Sequence, residues 1–279
     1  MDDILLLSRD TLREERDELL KRGVAVAYRT WAEVTAPPVD PPAVARWMLF
    51  VQDMTFQLSY MEELERSGTR VINTSRSVQM CDKASIYFLW NRHLKERIDM
   101  PPTIMTADVK RAREFVTTHG QAVLKPIDGQ GGEGIYILDA RDVHGFSKLN
   151  DHPGTMFLQA MIPSTHEIRT VVAGEEVIAQ YARYNPGGLH SLGAGATLLP
   201  VDDGRIDLPP DIARDLGELA LATRKLTGLD LLALDTLIDA RQQPWLLEWN
   251  PFFAYGQTKG LGFNIAYRIA CFILSTRSR

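Results

Sequence analysis

The run Asp128-Gly129-Gln130-Gly131-Gly132-Glu133-Gly134 lies between two apolar segments, Ala122-Val-Leu-Lys-Pro126 and Ile135-Tyr-Ile-Leu138. Its glycines match G-x-G-x-x-G, but the dinucleotide-binding form of that motif needs a helix directly after the glycines. Here a strand-type apolar run follows. No Gly-Lys-Ser/Thr is present, which excludes a Walker A loop. The pattern predicts a flap between two strands whose backbone amides close over phosphates, with an ordinary hairpin turn as the alternative.

Alternating strands and helices surround this flap. Strands at 4–7, 24–28, 48–51 and 69–73, with helices at 10–22 and 56–66, predict a small parallel α/β layer. Helices at 82–95 and 108–119 precede the flap, and strands at 168–173, 177–183, 231–239 and 245–249 follow it, with helices at 210–227 and 265–275. We expect three units: 1–78, 79–163 and 164–279.

Composition narrows the class of protein. The chain has 279 residues, of which 45% are hydrophobic and 24% charged, as in ordinary globular proteins. Its 31 basic and 36 acidic residues give a net charge of −5, so we expect no general binding to nucleic acid or anionic membranes. Only Cys81 and Cys271 are present and no long apolar run occurs, which favours a cytoplasmic protein with core thiols.

Several polar side chains stand in apolar surroundings. Lys125 lies between Leu124 and Pro126, where a nucleotide phosphate would compensate its charge; a solvated edge lysine is the alternative. Asp235 lies inside an otherwise apolar strand. Glu248 and Asn250 are two residues apart and therefore share one face of a strand. Three oxygen ligands without His or Cys suit Mg²⁺, and structural ion bridges to arginine are the alternative.

A third group follows the strand near residue 159. The segment Gln159-Ala160-Met161-Ile162 offers backbone groups to an adenine ring, and Glu167 could accept hydrogen bonds from ribose hydroxyls. Arg169 and Arg183, on neighbouring predicted strands, would supply positive charge to phosphates or an acyl-phosphate. Ordinary surface strands with solvated charges are the alternative for this group.

Taken in order, these motifs resemble the ATP-grasp superfamily, and within it the glutathione-synthetase/RimK-like carboxylate–amine ligases. The resemblance runs from Asn73 to the C-terminus. It implies an α/β (α+β) ATP-grasp fold with an N-terminal Rossmann-like (pre-ATP-grasp) domain, and an oligomer such as a dimer or tetramer. It also implies nucleotide contacts, a hinge for adenine and one or two Mg²⁺ ions, with Mn²⁺ as an alternative ion. The implied nucleotide-binding residues are Lys83, Lys125, Gly129, Gln130, Gly131, Gly132, Gly134, Gln159, Ala160, Met161, Ile162 and Glu167. The implied metal ligands are Asp235, Glu248 and Asn250.

The chain departs from the family pattern on the substrate side. Pro251-Phe252-Phe253-Ala254-Tyr255-Gly256 replaces the usual small-residue turn after the metal-binding Asn, and its aromatic residues would form either an acceptor wall or core packing. Ala160 and Met161 replace the usual Glu or aromatic residue of the hinge. His190 lies in a glycine-rich loop, where we expect a solvated histidine.

The resulting hypothesis is an ATP-dependent ligase that joins a small-molecule or peptide carboxylate to an amine, such as that of glutamate, through an acyl-phosphate. Arg183 and Arg169 would stabilise the charge at the reacting centre. A non-catalytic ATP-binding or scaffold protein of the same fold is the second hypothesis. A Rossmann dehydrogenase, suggested by the glycine match alone, is the third.

Overall fold

A computed structural model of the chain describes most of its residues. These are residues 3–8, 11–36, 40–49, 53–127, 129, 134–142, 146–150, 152, 154–186, 190, 195–206 and 208–277, without the side chain of Thr165. Within these ranges, no helix has both the length and the apolar character that a membrane crossing requires.

The first sheet is parallel. Its strands β1 (Ile4–Leu7), β2 (Val26–Arg29), β3 (Val44–Trp47) and β4 (Arg70–Ile72) lie in the order β2-β1-β3-β4. Helix α1 (Arg13–Leu20) joins β1 to β2, and helix α2 (Met54–Arg66) precedes β4. All four residues of β1 are buried because a parallel sheet is covered on both faces. The predicted parallel layer is therefore confirmed.

Strand β3 begins four residues earlier than the sequence indicates. It contains Arg46, whose side chain is fully buried with Nε 3.5 Å from Oε2 of Glu15 on α1. Tyr255 donates from Oη to Oε1 of Glu15 at 2.8 Å. The predicted strand at 48–51 was wrong because an apolar pattern does not reveal a buried arginine whose partner lies in another element. Glu15, Arg46 and Tyr255 form the Glu15 cluster.

The central sheet is antiparallel and follows a run of short helical segments. Helix α3 (Ser75–Val78) and helix α4 (Lys83–Leu89) come first, and a π-helical segment at Trp90–Leu94 continues α4. Strands β5 (Thr103–Thr106), β6 (Gln121–Lys125), β7 (Tyr136–Asp139) and β8 (Met156–Ala160) are ordered β5-β8-β6-β7. Helices α5 (Val109–His119) and α6 (Ser147–Asn150) cover this sheet with an apolar core.

The third sheet is antiparallel and has five strands. These are β9 (Ser164–Ala173), β10 (Glu176–Tyr184), β11 (Thr197–Pro200), β12 (Leu231–Asp239) and β13 (Pro244–Asn250), in the order β11-β10-β9-β12-β13. Gly174 turns the β9–β10 hairpin with φ +58°, and a Cβ there would lie 2.7 Å from the Phe272 ring. Helices α7 (Pro210–Thr227) and α8 (Ile265–Thr276) pack on this sheet. Strand β11 was not predicted.

One buried amide joins the first sheet to the third. Asn73 follows β4, and its Nδ2 donates to the carbonyl oxygens of Leu231 and Pro251 at 2.9 and 3.0 Å. Its Oδ1 accepts from the backbone N–H groups of Asp230 and Leu231 at 2.7 and 2.8 Å. The side chain is 0% exposed, so all four of its hydrogen bonds are satisfied within the protein. Asn73 therefore fixes the start of β12 and the end of β13.

Candidate active site

Cross-strand register on the third sheet brings two acids and two arginines together. Glu167 and Arg169 are two residues apart on β9, so their side chains lie on one face. Arg183 on β10 is opposite Glu167, and Asp235 on β12 is opposite Arg169. The two carboxylates are buried, and the arginine side chains are only 12–13% exposed. Pairing of the three strands thus brings residues that are far apart in the sequence into one cluster.

Asp235 is the centre of the ion pairs. Arg169 donates from Nε to Oδ1 at 2.7 Å and from Nη2 to Oδ2 at 2.6 Å, an aligned two-point contact. Arg183 Nη2 lies 2.6 Å from Oδ2 of Asp235 and 2.5 Å from Oε1 of Glu167. The structure thus contains the arginine bridges that the sequence offered as the alternative to a metal role for Asp235. The metal role remains a prediction.

Strand β13 adds a third acid and an amide. Glu248 is opposite Asp235, where the β12–β13 pairing has an irregularity between Asp235 and Thr236. Asn250 Nδ2 donates to Oδ2 of Asp235 at 3.0 Å and to Oε1 of Glu248 at 3.2 Å. The structure therefore brings the three predicted metal ligands together. With Glu167, Arg169 and Arg183 they form the Asp235 cluster.

The residues present fit a divalent metal in chemistry. Two carboxylates and one amide, without His or Cys, are a donor set that Mg²⁺ and Mn²⁺ accept. Among the described residues, no group of three or more His, Cys, Asp or Glu side chains is arranged to hold a metal. This set has only two such side chains, and Asn250 supplies the third donor. The two arginines that pair with Asp235 would compete with a metal ion for its carboxylate.

Burial and opposite charges shift the pKa values within the cluster in different directions. Burial raises the pKa of Glu167 to about 8, although Arg183 opposes this shift. Burial also raises the pKa of Asp235, but Arg169 and Arg183 outweigh it, so the net pKa is lowered. Asp235 therefore stays ionised at neutral pH.

Lys125 approaches the cluster from the central sheet. It ends β6, and its Nζ donates to Oε1 of Gln159 at 2.6 Å, while Gln159 Nε2 donates to Oγ1 of Thr103 at 3.3 Å. Burial lowers the pKa of Lys125, and the charge of Glu248 opposes this effect most strongly. Lys125 is half-buried and its amine is hydrogen-bonded, which differs from the alternative of a solvated edge lysine. Its contact with a nucleotide phosphate stays a prediction.

Lys83 lies at the start of α4 and touches the beginning of the glycine flap. Its Nζ donates to the carbonyl oxygen of Gly129 at 2.8 Å, and its backbone N–H donates to that of Ile127 at 3.0 Å. Asp82 caps the helix by accepting from the N–H of Ser85. A Cβ on Gly129 would lie 2.3 Å from Cγ of Pro126, so this position requires glycine. Lys83 and Lys125 therefore flank the base of the flap.

Most of the flap itself lies outside the described residues. These are Gln130, Gly131, Gly132 and Glu133, together with Asp128. Gly134, where the description resumes, has φ +71°, a conformation that favours glycine. The predicted contacts between the flap and phosphates stay a prediction.

The predicted adenine hinge leaves the central sheet at β8. The N–H of Ala160 donates to the carbonyl oxygen of Pro102 at 2.8 Å, and the N–H of Met161 donates to that of Gln121 at 3.0 Å. These two amides are therefore used within the protein. Ile162 follows them and is half-buried. The hinge role of residues 159–162 stays a prediction.

Two expectations about the substrate side change. His190 is buried rather than solvated, and burial, His166 and Arg183 together lower its pKa to about 4. The aromatic residues after Asn250 pack into the protein: Phe252 contacts Trp47 with ring centroids 4.9 Å apart, and Phe253 is buried in the apolar core. Of the two expected roles for these aromatic residues, the structure shows core packing.

Two contacts of the site were not predicted. Tyr181 is opposite Arg169 in the β9–β10 pairing, and Thr103 accepts a hydrogen bond from Gln159. Tyr181 stands two residues before Arg183, so the period of a strand places both on one face. That spacing was the available signal. Nothing in the sequence pairs Thr103 with Gln159 because their strands are neighbours only in the folded sheet.

Comparisons with known proteins agree with this arrangement. The model of the prokaryotic glutathione synthetase ATP-grasp domain matches residues 90–180. Glutathione synthetase of Thermosynechococcus vestitus is 43% identical over 72 residues, 24% of this chain and 23% of that protein. The enzyme of Ralstonia nicotianae is 29% identical over 238 residues, 78% of this chain and 68% of that protein. The matched regions thus span between a quarter and two thirds of these relatives.

Solved structures match nearly the whole chain. The ATP-grasp ligase PsnB complexed with a minimal precursor has a TM-score of 0.75 at 16% identity, covering 99% of this chain and 100% of that one. The RimK domain ATP-grasp protein of Sphaerobacter thermophilus has a TM-score of 0.74 at 17% identity, covering 97% and 99%. The chain therefore has the fold of these ATP-grasp proteins. Its central and third sheets, with the Asp235 cluster on the third, therefore form an ATP-grasp fold.

Proposed function

We propose that this ATP-grasp protein is an ATP- and Mg²⁺-dependent ligase that forms an amide bond between a carboxylate and an amine. One observation carries the proposal. The Asp235 cluster joins three acids, two arginines and one amide on the third sheet, and the charges of its acids act on the half-buried Lys125 of the central sheet. A cluster with both signs of charge suits the transfer of a phosphoryl group followed by attack on a carbonyl carbon.

The nucleotide would lie between the central and third sheets. Lys83 and Lys125 would contact its phosphates, the flap at Gly129–Gly134 would cover them, and Gln159 to Ile162 would border the adenine. Glu167 would contact the ribose only after giving up part of its pairing with Arg183. We further propose that the first, parallel sheet is the N-terminal pre-ATP-grasp domain, and that the chain divides at residues 78 and 163.

The proposed reaction has two balanced steps. A substrate carboxylate oxygen attacks the γ-phosphorus of ATP, the bond to the β–γ bridging oxygen breaks, and ADP leaves. The amine nitrogen then attacks the acyl carbon, inorganic phosphate leaves, and the amine loses a proton. Arg183 and Arg169 would stabilise the negative charge at the acyl centre. The chain holds these groups in place, so no side-chain nucleophile is needed.

Asp235, Glu248 and Asn250 would hold one or two divalent ions. When bound, Mg²⁺ supplies positive charge to the phosphate oxygens of the transferring group. Mn²⁺ suits the same oxygen donors.

The substrates fall in a broad class. PsnB and the macrocyclase MdnC are described in complex with precursor peptides, whereas the curated relatives are glutathione synthetases. We therefore propose a small-molecule or peptide carboxylate and an amine, such as that of glutamate. Cys81 and Cys271 are unpaired, which supports a reducing cytoplasm as the location. We include a homo-oligomer in the proposal because members of the family often assemble in this way.

Release of ADP with a panel of carboxylates and amines tests the proposal. We expect ADP to appear only when an acid and an amine are both present, and mass spectrometry to show a product lighter than their sum by one water. Glu248→Ala should abolish ADP release because it removes a proposed metal ligand. Wild-type rates in that variant would contradict the proposal.

One observation favours a second candidate, a non-catalytic ATP-binding protein. Asp235 is engaged by two arginines, as in a purely structural ion bridge. In that case ATP would raise the melting temperature of the protein, and Glu248→Ala would leave this stabilisation intact, while no pair of substrates would release ADP.

A further inference from the structure

We infer that Arg183 and a divalent metal ion compete for Oδ2 of Asp235. Metal binding displaces the Arg183 guanidinium from Asp235, so that it can bind the anionic reaction centre. This inference rests on the proposed function, because it takes Asp235 as a metal ligand. It adds a role for Arg183 that depends on whether the metal is bound.

One carboxylate oxygen of Asp235 is crowded. Oδ2 of Asp235 has three nitrogen atoms around it: Arg169 Nη2 at 2.6 Å, Arg183 Nη2 at 2.6 Å and Asn250 Nδ2 at 3.0 Å. A carboxylate offers about four lone-pair directions over its two oxygens, so about two belong to each oxygen. A cation that binds Oδ2 must therefore displace one of these nitrogens.

Arg183 leaves this oxygen more easily than Arg169 does. Arg169 makes two aligned hydrogen bonds, one to each oxygen of Asp235. Within the described part of the chain, Nε and Nη2 of Arg183 are buried without a hydrogen bond of normal geometry. The Arg183 contact is thus close but poorly aligned, and its attraction is mainly Coulombic. Arg183 gives up less directional bonding than Arg169 when it moves away.

The balance of charge also favours the exchange. A divalent ion in place of the guanidinium keeps the buried Asp235 compensated, so the exchange leaves no lone charge in the interior. Arg183 remains anchored by Glu167, whose Oε1 is 2.5 Å from its Nη2. The released guanidinium then has donors available for an oxyanion beside the cluster. The arginine is therefore offered to the acyl centre only after the metal has bound.

Binding of Mn²⁺ alone, followed by electron paramagnetic resonance of the free ion, tests the competition. Arg183→Gln should lower the Kd for Mn²⁺ about tenfold, because it removes a competitor worth about 1.4 kcal/mol. The matched control is Arg70→Gln, which also removes one arginine that is ion-paired with a buried aspartate. The partner of Arg70 is Asp230, which lies outside the Asp235 cluster. This control should change the Kd less than about threefold.

Equal tightening in both variants would show a general field effect and overturn the competition, as would an unchanged or weaker affinity in Arg183→Gln. If Arg183→Gln fails to fold, Arg183→Met replaces it, because it also removes the positive charge. Arginine side-chain NMR gives a second readout in the wild type. Mg²⁺ should shift the Nε resonance that is missing in Arg183→Lys more than the one missing in Arg169→Lys, and the reverse order would also overturn the inference.

The failure of this inference differs from the failure of the proposed function. A wild-type protein that releases ADP with its substrates, but whose Mn²⁺ affinity matches that of Arg183→Gln, loses only the competition. A wild-type protein that releases no ADP with any acid and amine would contradict the proposed ligase function. Tighter Mn²⁺ binding in Arg183→Gln would still support the competition at Asp235.

Discussion

The Glu15 cluster and the Asp235 cluster are both buried, ionic and built from distant parts of the chain. They differ in how completely their charges are paired and in how far their side chains are exposed to solvent. In the Glu15 cluster one acid meets one arginine and one tyrosine hydroxyl, and the acid and arginine side chains are 0% exposed. In the Asp235 cluster, three acids share two arginines that retain 12–13% exposure. Burial of charge alone therefore does not mark a site. Unequal charge and access from solvent distinguish the cluster that can take a ligand.

The largest expected effect is on catalysis by the Asp235 cluster. Asp235→Asn should lower the rate of ADP release at least about 10³-fold, since it removes both a proposed metal ligand and the acid that orients both arginines. Stability should fall less than in the Arg46 variant below, because the partly exposed arginines keep some water. The rate is measured with the substrate pair found by the panel, and stability by urea unfolding.

Asp230→Asn is the matched control. Arg70 Nη2 contacts both oxygens of Asp230 at 2.6 and 2.7 Å, and Asp230 is also buried, but this ion pair lies outside the Asp235 cluster. Its ADP-release rate should stay within about threefold of wild type, because a remote ion pair acts mainly on stability. Equal rate losses in the two variants would show that removal of any buried acid lowers the rate, and would contradict a special role for the Asp235 cluster.

The second-largest effect is on the stability that the Glu15 cluster provides. Arg46→Met should lower the free energy of unfolding by about 3–5 kcal/mol, since it leaves the carboxyl group of Glu15 buried without its cation. The rate of ADP release per folded molecule should change less than about threefold. Tyr255→Phe removes only the hydroxyl on Glu15 and should cost about 1–3 kcal/mol. A loss of activity without a loss of stability would make the Glu15 cluster part of the site.

The smallest effect is a pH dependence. Burial raises the pKa of Glu15 above its ordinary value of 4.5, although Arg46 and Tyr255 oppose the shift. The folded protein therefore keeps this proton to a higher pH than the unfolded chain does. The contribution of Glu15 to stability is complete below pH 4.5 and decreases as the pH rises. Glu15→Gln does not ionise, so wild-type stability minus variant stability should fall with rising pH in urea unfolding. A difference that grows with pH would contradict the shift.

The fold was predictable where one periodic pattern decided the structure. Strand β1, helix α7 and strand β12 have the predicted bounds, since their apolar periods and flanking signals agree. The predicted bounds of β3 were wrong because Arg46 breaks its apolar pattern. Strand β11 was not predicted because this short edge strand is recognised only by its pairing with β10. Local rules fail where a partner far along the chain decides the conformation.

The site was predictable to a similar degree. Period-2 spacing placed Glu248 with Asn250, and the structure confirms their contact. It gave no means of knowing that Asp235 is opposite both Arg169 and Glu248, because that depends on the register of three strands. The loop residue His190 was assigned to solvent from its glycine-rich neighbours, although it is buried in the fold.

The four hydrogen bonds of Asn73 have a consequence for dissection of the chain. A fragment starting at residue 79 would lack this side chain and leave the N–H groups of Asp230 and Leu231, and the carbonyl oxygens of Leu231 and Pro251, without their partner. Each orphaned group that stays buried costs about 1–3 kcal/mol. The N-terminal segment thus stabilises the proposed site from a distance. Its removal would loosen the strands that carry Asp235 and Asn250, even though the segment supplies none of the proposed ligands.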